Sequence, residues 1–314
     1  MVSTEMKELL EKQQYGFAGE HSAVKICTWA KKSMLDEGYC YKQKFYGIRS
    51  HLCCQMTPTI GYCHNRCIFC WRSLEDTIGI EMKENLDDPK EIVRNSIKQQ
   101  QKLISGFGGN DKVNPEKLKE AQEPMHFAIS LSGEPTLYPK LNELIDEIHA
   151  MGKTTFVVSN GLEPEKIRSL HPPTQLYLSI DAPNKELYER IDNSMLTDAW
   201  ERFQQSLKIL ATLKDKTRTT VRLTLLKGIN MTDVEGWAKL IRKADPLFVE
   251  VKAYMFVGSS RLRLSIENMP RHNEVRAFAE EIADSSGYKV IDEKEESRVV
   301  LLMREDFDGR IMEF

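Results

Sequence analysis

Cysteines are the residues of this sequence with the most evident chemistry, and all seven lie in the first quarter of the chain. Cys63, Cys67 and Cys70 have the spacing C-x3-C-x2-C in the segment GYCHNRCIFCW. Three thiolates on one short loop can bind three irons of a cubane iron–sulfur cluster and leave the fourth iron open to another ligand. A structural zinc site is the alternative, with His64 or Cys54 as its fourth ligand.

Three cysteines further upstream are regularly spaced. Cys27, Cys40 and Cys53 follow one another at intervals of thirteen residues. They are enough to hold a second cluster with one open iron, which would suit chelation of a carboxylate or a keto acid. Cys54 is interpreted as a buried core residue, the common fate of a free cysteine. An odd number of crowded cysteines argues against a disulfide framework.

Polar turn residues follow three apolar runs, in the segments SGEPTLYP (132–139), SNG (159–161) and SIDAP (179–183). Sites of α/β barrels gather at the carboxyl ends of strands, so these turns predict ligands of a cofactor or substrate. The candidates are Gly133, Glu134, Pro135, Ser159, Asn160, Ser179 and Asp181, with Thr224 and Lys252 on later strands as secondary candidates. Turn formation and helix capping are the alternative roles.

From about residue 53 onward, apolar runs alternate with helix-like segments, and these elements must position the residues named above. Six apolar runs, each followed by a helix-like segment, predict right-handed βα units around a parallel sheet. The runs begin near residues 55, 125, 153, 174, 219 and 247, and the predicted helices cover about 89–105, 139–151, 163–170, 197–213 and 232–243. Six strands are too few for a closed TIM barrel. We therefore predict an α/β fold with a partial (β/α)6 barrel; an open doubly wound sheet would give the same pattern.

Segments at both ends extend this barrel. Helices predicted over 4–14 and 24–37, the second ended by Gly38, form an N-terminal helical extension over 1–52 that supplies the upstream cysteines. The barrel covers 53–285, and YKVID and SRVVLLMR predict a C-terminal hairpin within 286–314. The Gly- and Lys-rich segment 105–124 is expected to be a surface insertion.

Composition narrows the class of protein. A chain of 314 residues, 41% of them hydrophobic, can bury one large core. The formal net charge of -3 argues against a uniformly basic, nucleic-acid-binding surface but allows a local basic patch. The sequence has no run of eighteen apolar residues and no signal-peptide pattern. We expect a soluble, cytoplasmic monomer with no membrane partner.

These motifs together resemble the radical SAM superfamily. Its signature is the same cysteine spacing with an aromatic residue before the last cysteine, a place that Phe69 occupies. SGEPTLYP is similar to the superfamily's GGEP motif, which implies that Gly133, Glu134 and Pro135 lie near the methionine amino group. The resemblance implies a [4Fe-4S] cluster whose free iron chelates S-adenosyl-L-methionine. Its reductive cleavage would give methionine and a 5′-deoxyadenosyl radical.

A narrower resemblance covers nearly the whole chain. CYKQKFYGIRSHLCCQMTP before the signature, SLSGEPTLYP after it and the two cysteine triads are similar to the tRNA 4-demethylwyosine synthases, in the shorter archaeal form. This implies a radical reaction that condenses N1-methylguanosine, next to the anticodon of tRNA(Phe), with two carbons of pyruvate. It also implies two [4Fe-4S] clusters, the second held by Cys27, Cys40 and Cys53. Without a fused flavodoxin domain, an external electron donor is expected: a reductase, a flavodoxin or a ferredoxin.

A lysine would be useful in such a reaction, because an amine with a lowered pKa can form a Schiff base with a keto acid. Lys42, two residues after a predicted cluster ligand, is our candidate. Lys44 is equally close in sequence, and a solvated surface lysine is the alternative for either.

Contacts to tRNA are predicted from basic stretches. KDKTRTTVR (214–222) and RLRL (261–264), with Arg271 and His272, could contact phosphates, although such stretches are often only solvated faces. Trp71 and Tyr254 are candidates for stacking on the unstacked target base. Two other functions stay open: a radical SAM enzyme with an auxiliary cluster acting on a peptide or small metabolite, and a zinc-stabilised, non-catalytic tRNA-binding protein.

Overall fold

A single ten-stranded sheet forms the centre of the molecule in the computed structural model, which describes residues 2–83 and 85–314. The strands are β1 (Gly16–Phe17), β2 (Ala23–Val24), β3 (Cys53–Thr57), β4 (His126–Ile129), β5 (Thr154–Ser159), β6 (Gln175–Ile180), β7 (Arg218–Leu225), β8 (Phe248–Ala253), β9 (Lys289–Lys294) and β10 (Val299–Met303). Strands β3 to β8 are parallel and follow chain order. They are the six strands that the sequence predicts.

Helices surround the sheet: those between successive parallel strands cover its outer face, and others precede the first parallel strand or follow the last. They are α1 (Thr4–Lys12), α2 (Thr28–Met34), α3 (Tyr41–Tyr46), α4 (Pro89–Ile104), α5 (Pro115–Glu120), α6 (Leu141–Ala150), α7 (Pro164–Arg168), α8 (Lys185–Asp192), α9 (Ala199–Ala211), α10 (Val234–Ala244) and α11 (His272–Ser286). The start of α4 illustrates the local control: Asp88 accepts from the N–H groups of Lys90 and Glu91, and Pro89 occupies the first turn. No described helix is both long and apolar enough to cross a membrane.

The parallel sheet is a barrel that does not close. One edge, β3, pairs with β2 of an N-terminal strand pair, and the other edge, β8, pairs antiparallel with β10 of the terminal hairpin β9–β10. These additions satisfy the edge hydrogen bonds that a closed barrel would satisfy between its first and last strands. The prediction of a partial six-stranded barrel with a C-terminal hairpin is confirmed.

Side chains alternate between the helices and the barrel interior along each strand, as the pleat requires. On β6, Leu176 and Leu178 belong to the large apolar core under the helices, whereas Tyr177 packs with Phe156 in a separate cluster on the interior face. The interior also contains polar and charged groups, and these build the site described below. Helix α3 packs against β8 and β10 from the interior side.

The N-terminal extension differs from the prediction in two respects. It contributes two strands as well as helices, because residues 23–24 pair with β3 instead of starting a helix. Helix α2 therefore begins at Thr28, where the thiol of Cys27 accepts from the N–H of Ala30. Gly38 is not the cap of this helix, which ends at Met34 with Leu35 as its C-cap. Short helices α3, α5, α8 and the longer α11 were not predicted, α5 lying inside the predicted insertion.

Candidate active site

A cleft opens at the carboxyl ends of the parallel strands and has about 770 Å³ of empty space. It brings together residues from the cysteine loop after β3 and from the turns after β4, β5 and β6. Of the residues predicted from sequence, the cleft is lined by Cys63, Cys67, Cys70, Gly133, Glu134, Ser159, Asn160, Ser179 and Asp181. Pro135 is buried beside them as the first residue of a short 3-10 turn. The structure thus gathers the first triad and the predicted turns in one place.

The loop that contains the three cysteines is held by backbone contacts. The N–H of Cys63 donates to the carbonyl of Gly79 at 3.1 Å, and that of Cys70 to Cys67 at 3.0 Å. Two arginine side chains also hold the loop. Arg72 donates to the carbonyl of Asn65 at 2.8 Å, and Arg263 donates to the carbonyls of Ile68 and Cys70. These contacts fix the backbone of the loop, and its three cysteines line the cleft.

The thiols lie in an environment suited to ligation. Burial raises the pKa of Cys63 to about 11, while the Arg72 guanidinium opposes this shift and favours the thiolate. The amide of Asn160 lies 3.9 Å from the sulfur of Cys63. Burial also raises the pKa of Cys67, whose thiol donates to Asp192 at 3.4 Å. A positive cluster core would supply the remaining stabilisation of the thiolates.

The two side chains proposed to complete a zinc site point elsewhere. His64 is buried and bonds Glu163 at 3.0 Å, while Cys54 lies in the apolar core on the helix side of β3. Within residues 2–83 and 85–314, no three His, Cys, Asp or Glu side chains converge closely enough to hold one metal ion. In a cubane each thiolate binds its own iron, so cluster ligands need not converge in that way.

The turn after β4 is shaped by Gly133 and Glu134. Gly133 has a φ of +74°, and a Cβ there would lie 2.0 Å from the carbonyl oxygen of Thr59. The buried Glu134 carboxylate accepts from Thr136 N at 3.0 Å, Thr136 Oγ1 at 2.7 Å, Ser159 Oγ at 2.8 Å and Asn160 N at 2.7 Å. One carboxylate therefore ties the turn after β4 to the turn after β5.

Two acidic side chains complete the floor of the cleft. Burial raises the pKa of Asp181 to about 6, and one of its carboxylate oxygens has no hydrogen-bond partner in the described structure. Asp192 accepts from Asn65 at 3.2 Å and from Cys67, and its other oxygen is likewise unpartnered there. Buried polar atoms of this kind are available to a bound polar ligand.

The second triad also comes together, on the N-terminal extension and the first residue of β3. Cys27 and Cys40 precede helices α2 and α3, and Cys53 starts β3. Burial raises the pKa of all three thiols, and a thiolate at Cys27 raises those of Cys40 and Cys53 further, because the three residues lie near one another. The positive charge of Lys42 acts on each of them in the opposite direction.

Lys42 and Lys44 have different surroundings. The Nζ of Lys42 lies 4.4 Å from the ring centroid of Tyr177 and 5.0 Å from that of Phe156, inside the barrel. Burial lowers the pKa of Lys42. Lys44 is exposed and pairs with Asp292 at 2.8 Å. The structure thus separates two lysines that the sequence could not distinguish.

The secondary candidates lie next to the main cleft. Thr224 and Lys252 line an adjacent cavity with Phe69 and Trp71. Lys252 donates to the carbonyl of Ser297 at 2.8 Å, and burial lowers its pKa to about 8.

The predicted tRNA contacts need correction. Arg222 and Arg263 turn inward, Arg222 into the cleft and Arg263 onto the cysteine loop, and Arg218 donates to the carbonyls of Gly309 and Arg310. These three are not exposed phosphate ligands. Lys216, Arg261 and Arg271 are exposed and stay candidates for contact with phosphates.

The two aromatic candidates also differ. Trp71 lines the cleft and stacks with Tyr15 at 6.2 Å between centroids. Tyr254 is buried, with its hydroxyl 2.7 Å from that of Ser260, and so cannot stack on an incoming base.

Sequence reasoning missed Asn65, Asp192, Arg222 and Glu250. In the strand-like run TTVRLTLL, the alternation of side chains was one usable signal. Arg222 and Thr224 lie on one face of the strand, and Val221 and Leu223 lie on the other. No sequence pattern pointed to Asp192, because it is the last residue of helix α8, which was not predicted.

Comparison with protein families gives two matches. A model of the radical SAM superfamily matches residues 114–241, and a model described as wyosine base formation matches residues 243–304.

Named relatives match almost the whole chain. An S-adenosyl-L-methionine-dependent tRNA 4-demethylwyosine synthase of Pyrococcus abyssi is 52% identical over 97% of this chain and 90% of its own length. The enzyme of that name from Methanocaldococcus jannaschii is 44% identical over 98% of both chains. The human protein, TYW1, is 38% identical over 98% of this chain but 42% of its own length.

Two solved structures are similar throughout. A structure of TYW1 with a lysine-pyruvate adduct bound has a TM-score of 0.89 at 41% identity and covers 99% of this chain and 100% of that one. A crystal structure of archaeal TYW1 has a TM-score of 0.80 at 37% identity, with the same coverage.

Proposed function

The chain belongs to the family of S-adenosyl-L-methionine-dependent tRNA 4-demethylwyosine synthases, and we propose that it condenses N1-methylguanosine of tRNA(Phe) with pyruvate, using a second cluster and Lys42. Membership makes it a radical SAM enzyme that acts on tRNA and uses S-adenosyl-L-methionine with a [4Fe-4S] cluster. The keto-acid substrate, the second cluster and the residues responsible are the proposal. The position of Lys42 inside the barrel, beside the second triad, is the observation on which it rests.

Cys63, Cys67 and Cys70 fit the first cluster, because all three line one cleft and Arg72 favours the thiolate of Cys63. Such a cluster with S-adenosyl-L-methionine supplies a carbon-centred radical that abstracts hydrogen. The chain's own residues orient the cofactor. Glu134 fixes the turns that hold Ser159 and Asn160, and Asp181 and Ser179 offer oxygens to its polar groups.

Cys27, Cys40 and Cys53 fit a second cluster for a different reason. The three residues lie near enough for a charge on one thiol to act on the others, and Lys42 places a positive charge beside them. Buried thiolates without cations would be costly, so ligation by these cysteines would draw on the positive charge of a metal core and of Lys42. Three ligands would leave one iron free, so such a cluster would offer a coordination position to the keto acid beside Lys42.

Lys42 is suited to hold the keto acid. Its amine is buried against two aromatic rings, which disfavour the charged form and leave the nitrogen lone pair available for attack on a carbonyl. The similar TYW1 structure contains a lysine-pyruvate adduct, which supports the same role here. Pyruvate bound at Lys42 would lie inside the barrel, below the cleft where the radical forms.

The remaining parts of the proposal concern partners. Electrons come from an external donor, a reductase, a flavodoxin or a ferredoxin, and the enzyme acts as a cytoplasmic monomer. A radical SAM enzyme with a peptide or metabolite substrate would not require tRNA, and a zinc-stabilised binding protein would contain zinc without iron or sulfide.

Iron and sulfide content after anaerobic reconstitution tests the number of clusters. The intact protein should hold about eight irons and the variant with Cys27, Cys40 and Cys53 all changed to Ala about four, as two cubanes require. Four irons in both proteins would refute the second cluster and leave the radical SAM chemistry intact.

Product formation tests the substrates. Wild-type protein with 13C-labelled pyruvate and tRNA(Phe) containing N1-methylguanosine should form a tricyclic base that contains two labelled carbons. Lys42→Ala should abolish this product and the adduct trapped by cyanoborohydride, whereas Lys44→Ala, which changes an exposed lysine of the same helix, should preserve both. Equal activity of the two variants would exclude Lys42.

A further inference from the structure

Arg222 is a cation inside the barrel that the cluster chemistry does not use. On β7 it pairs in register with Ser179 of β6 and with Glu250 of β8. Side chains at paired positions of parallel strands point to the same face. Ser179, Arg222 and Glu250 therefore form one row across the interior.

The neighbouring acidic groups do not neutralise this guanidinium by direct contact. The Glu250 carboxylate accepts from the hydroxyls of Tyr41 and Tyr46, both at 2.8 Å. Among the described residues, the Arg222 side chain has neither a hydrogen bond nor an ion pair within 4.0 Å, although it feels the charges of Glu250 and Asp181. An interior arginine whose five donors are all unused is prepared for an anion.

Its position lies between the two parts of the proposed site. Arg222 lines the cleft that contains the first triad and also the adjacent cavity that contains Lys252. The Nζ of Lys42 lies over the ring of Tyr177, which is two residues, or roughly 6.6 Å, along β6 from Ser179, the partner of Arg222. The guanidinium is thus within reach of a small molecule attached to Lys42.

We propose that Arg222 binds the carboxylate of the α-keto acid whose carbonyl carbon is attacked by Lys42. This inference rests on the proposed function. The amine of Lys42 adds to the keto carbon, a C=N bond forms, and the keto oxygen leaves as water with the two hydrogens of the amine, with no change in oxidation state. Arg222 is a substrate-binding residue in this scheme: it selects a carbonyl compound with an adjacent carboxylate and fixes its orientation under the cleft.

The methionine part of S-adenosyl-L-methionine also has a carboxylate. Chemistry alone would therefore allow Arg222 to bind the carboxylate of the cofactor or that of the keto acid. The contacts favour the keto acid. Arg222 shares its surroundings with Lys42, since both feel the charge of Glu250 and the positive charge of Arg222 acts on Lys42 itself. The turns that receive the amino acid part lie at the strand ends, around Glu134.

Reductive trapping provides the test. The cluster-loaded protein is incubated with increasing pyruvate and cyanoborohydride, and the fraction of modified Lys42 is read by mass spectrometry. Arg222→Met should raise the half-saturating pyruvate concentration at least tenfold, since a hydrogen-bonded charge is removed, and Arg222→Lys should restore part of it. Trapping of hydroxyacetone, which has no carboxylate, should be the same in all proteins.

Arg218→Met is the matched control, because this arginine lies on the same strand and face but donates to the carbonyls of Gly309 and Arg310. It should leave pyruvate trapping unchanged. Affinity for S-adenosyl-L-methionine, measured by equilibrium dialysis, should be equal in wild type and Arg222→Met, which also shows that the variant is folded.

Three outcomes count against the inference. Unchanged half-saturation by pyruvate would overturn it. Weaker S-adenosyl-L-methionine binding with normal pyruvate trapping would assign Arg222 to the cofactor instead. If wild-type protein forms no adduct, the Lys42 proposal fails, and Arg222 is tested separately by equilibrium dialysis of 14C-pyruvate. The two proteins compared are Lys42→Ala and the double variant Lys42→Ala with Arg222→Met. Equal retention of pyruvate by these two proteins would also overturn the inference about Arg222.

Discussion

Gly133→Ala should displace the loop that contains Cys63, Cys67 and Cys70, because the added methyl group would overlap the backbone that precedes the loop. Gly133 has a φ of +74°, and a Cβ there would lie 2.0 Å from the carbonyl oxygen of Thr59 and 2.7 Å from that of Tyr62. Both oxygens belong to the backbone, so no side-chain rotation relieves the overlap. Restoring an ordinary 3.4 Å contact to Thr59 requires a movement of roughly 1.4 Å. The segment that must move leads directly into Cys63.

Gly152 offers a matched control for this substitution. Its φ is +69°, but nothing lies within 4 Å of the position that a Cβ would take. Gly152→Ala therefore measures left-handed strain alone, about 1–2 kcal/mol. Gly133→Ala adds overpacking, typically about 1–3 kcal/mol, so its total loss should be about 2–5 kcal/mol. The thermal midpoint should fall by a few degrees in the control and clearly further in Gly133→Ala.

Three measurements on anaerobically reconstituted protein test this reasoning: the thermal midpoint, the iron content and the affinity for S-adenosyl-L-methionine. Gly152→Ala should retain the iron and the affinity of wild type. Gly133→Ala should lose iron from the first triad and bind the cofactor at least tenfold more weakly. Equal losses of thermal stability in both variants, with full iron and normal affinity in Gly133→Ala, would refute the argument.

Three further predictions concern buried polar groups. Glu134→Gln should cost about 2 kcal/mol and weaken cofactor binding, because its amide would direct N–H groups at existing donors; a thermal midpoint and dialysis constant equal to wild type would contradict this. Cys53→Ala should lower reconstituted iron content, whereas Cys54→Ala, on the opposite face of β3, should not; equal iron in both would exclude the second cluster. Burial lowers the pKa of His126 to about 3, so its ring should keep neutral-form NMR shifts down to pH 5, and the free energy of unfolding should fall more steeply below pH 6.5 in wild type than in His126→Gln. A His126 ring that titrates near pH 6.5 would show the burial argument to be wrong.

Local sequence patterns were sufficient for the barrel. Each parallel strand is a continuous or alternating apolar run, because both its faces are covered, and this pattern can be read without any distant residue. Several helices were predicted from long amphipathic faces, such as α4 and α10, although α11, which has fifteen residues, was missed. Helix α3 has only six residues and is held by packing on β8 and β10, so propensity did not reveal it.

Chemistry that depends on residue type and close spacing was also readable. The first triad and the SGEP turn are contiguous segments, and the rule that parallel strands end at one edge predicted that they would meet. Their assembly in one cleft agrees with that prediction, while the role of each residue stays a prediction.

Sequence by itself determined the alternation of strands and helices, the cysteine spacings and the turns that must adjoin them, because these depend on neighbours along the chain. Only the tertiary structure decided which charged side chains enter the barrel. Lys42 and Lys44 are alike in sequence, and Arg222 belongs to a basic stretch that resembles a solvated surface. The register of β6, β7 and β8 and the packing of α3 place Lys42 and Arg222 inside and leave Lys44 in water. Burial is a property of contacts between distant segments, so no local pattern specifies it.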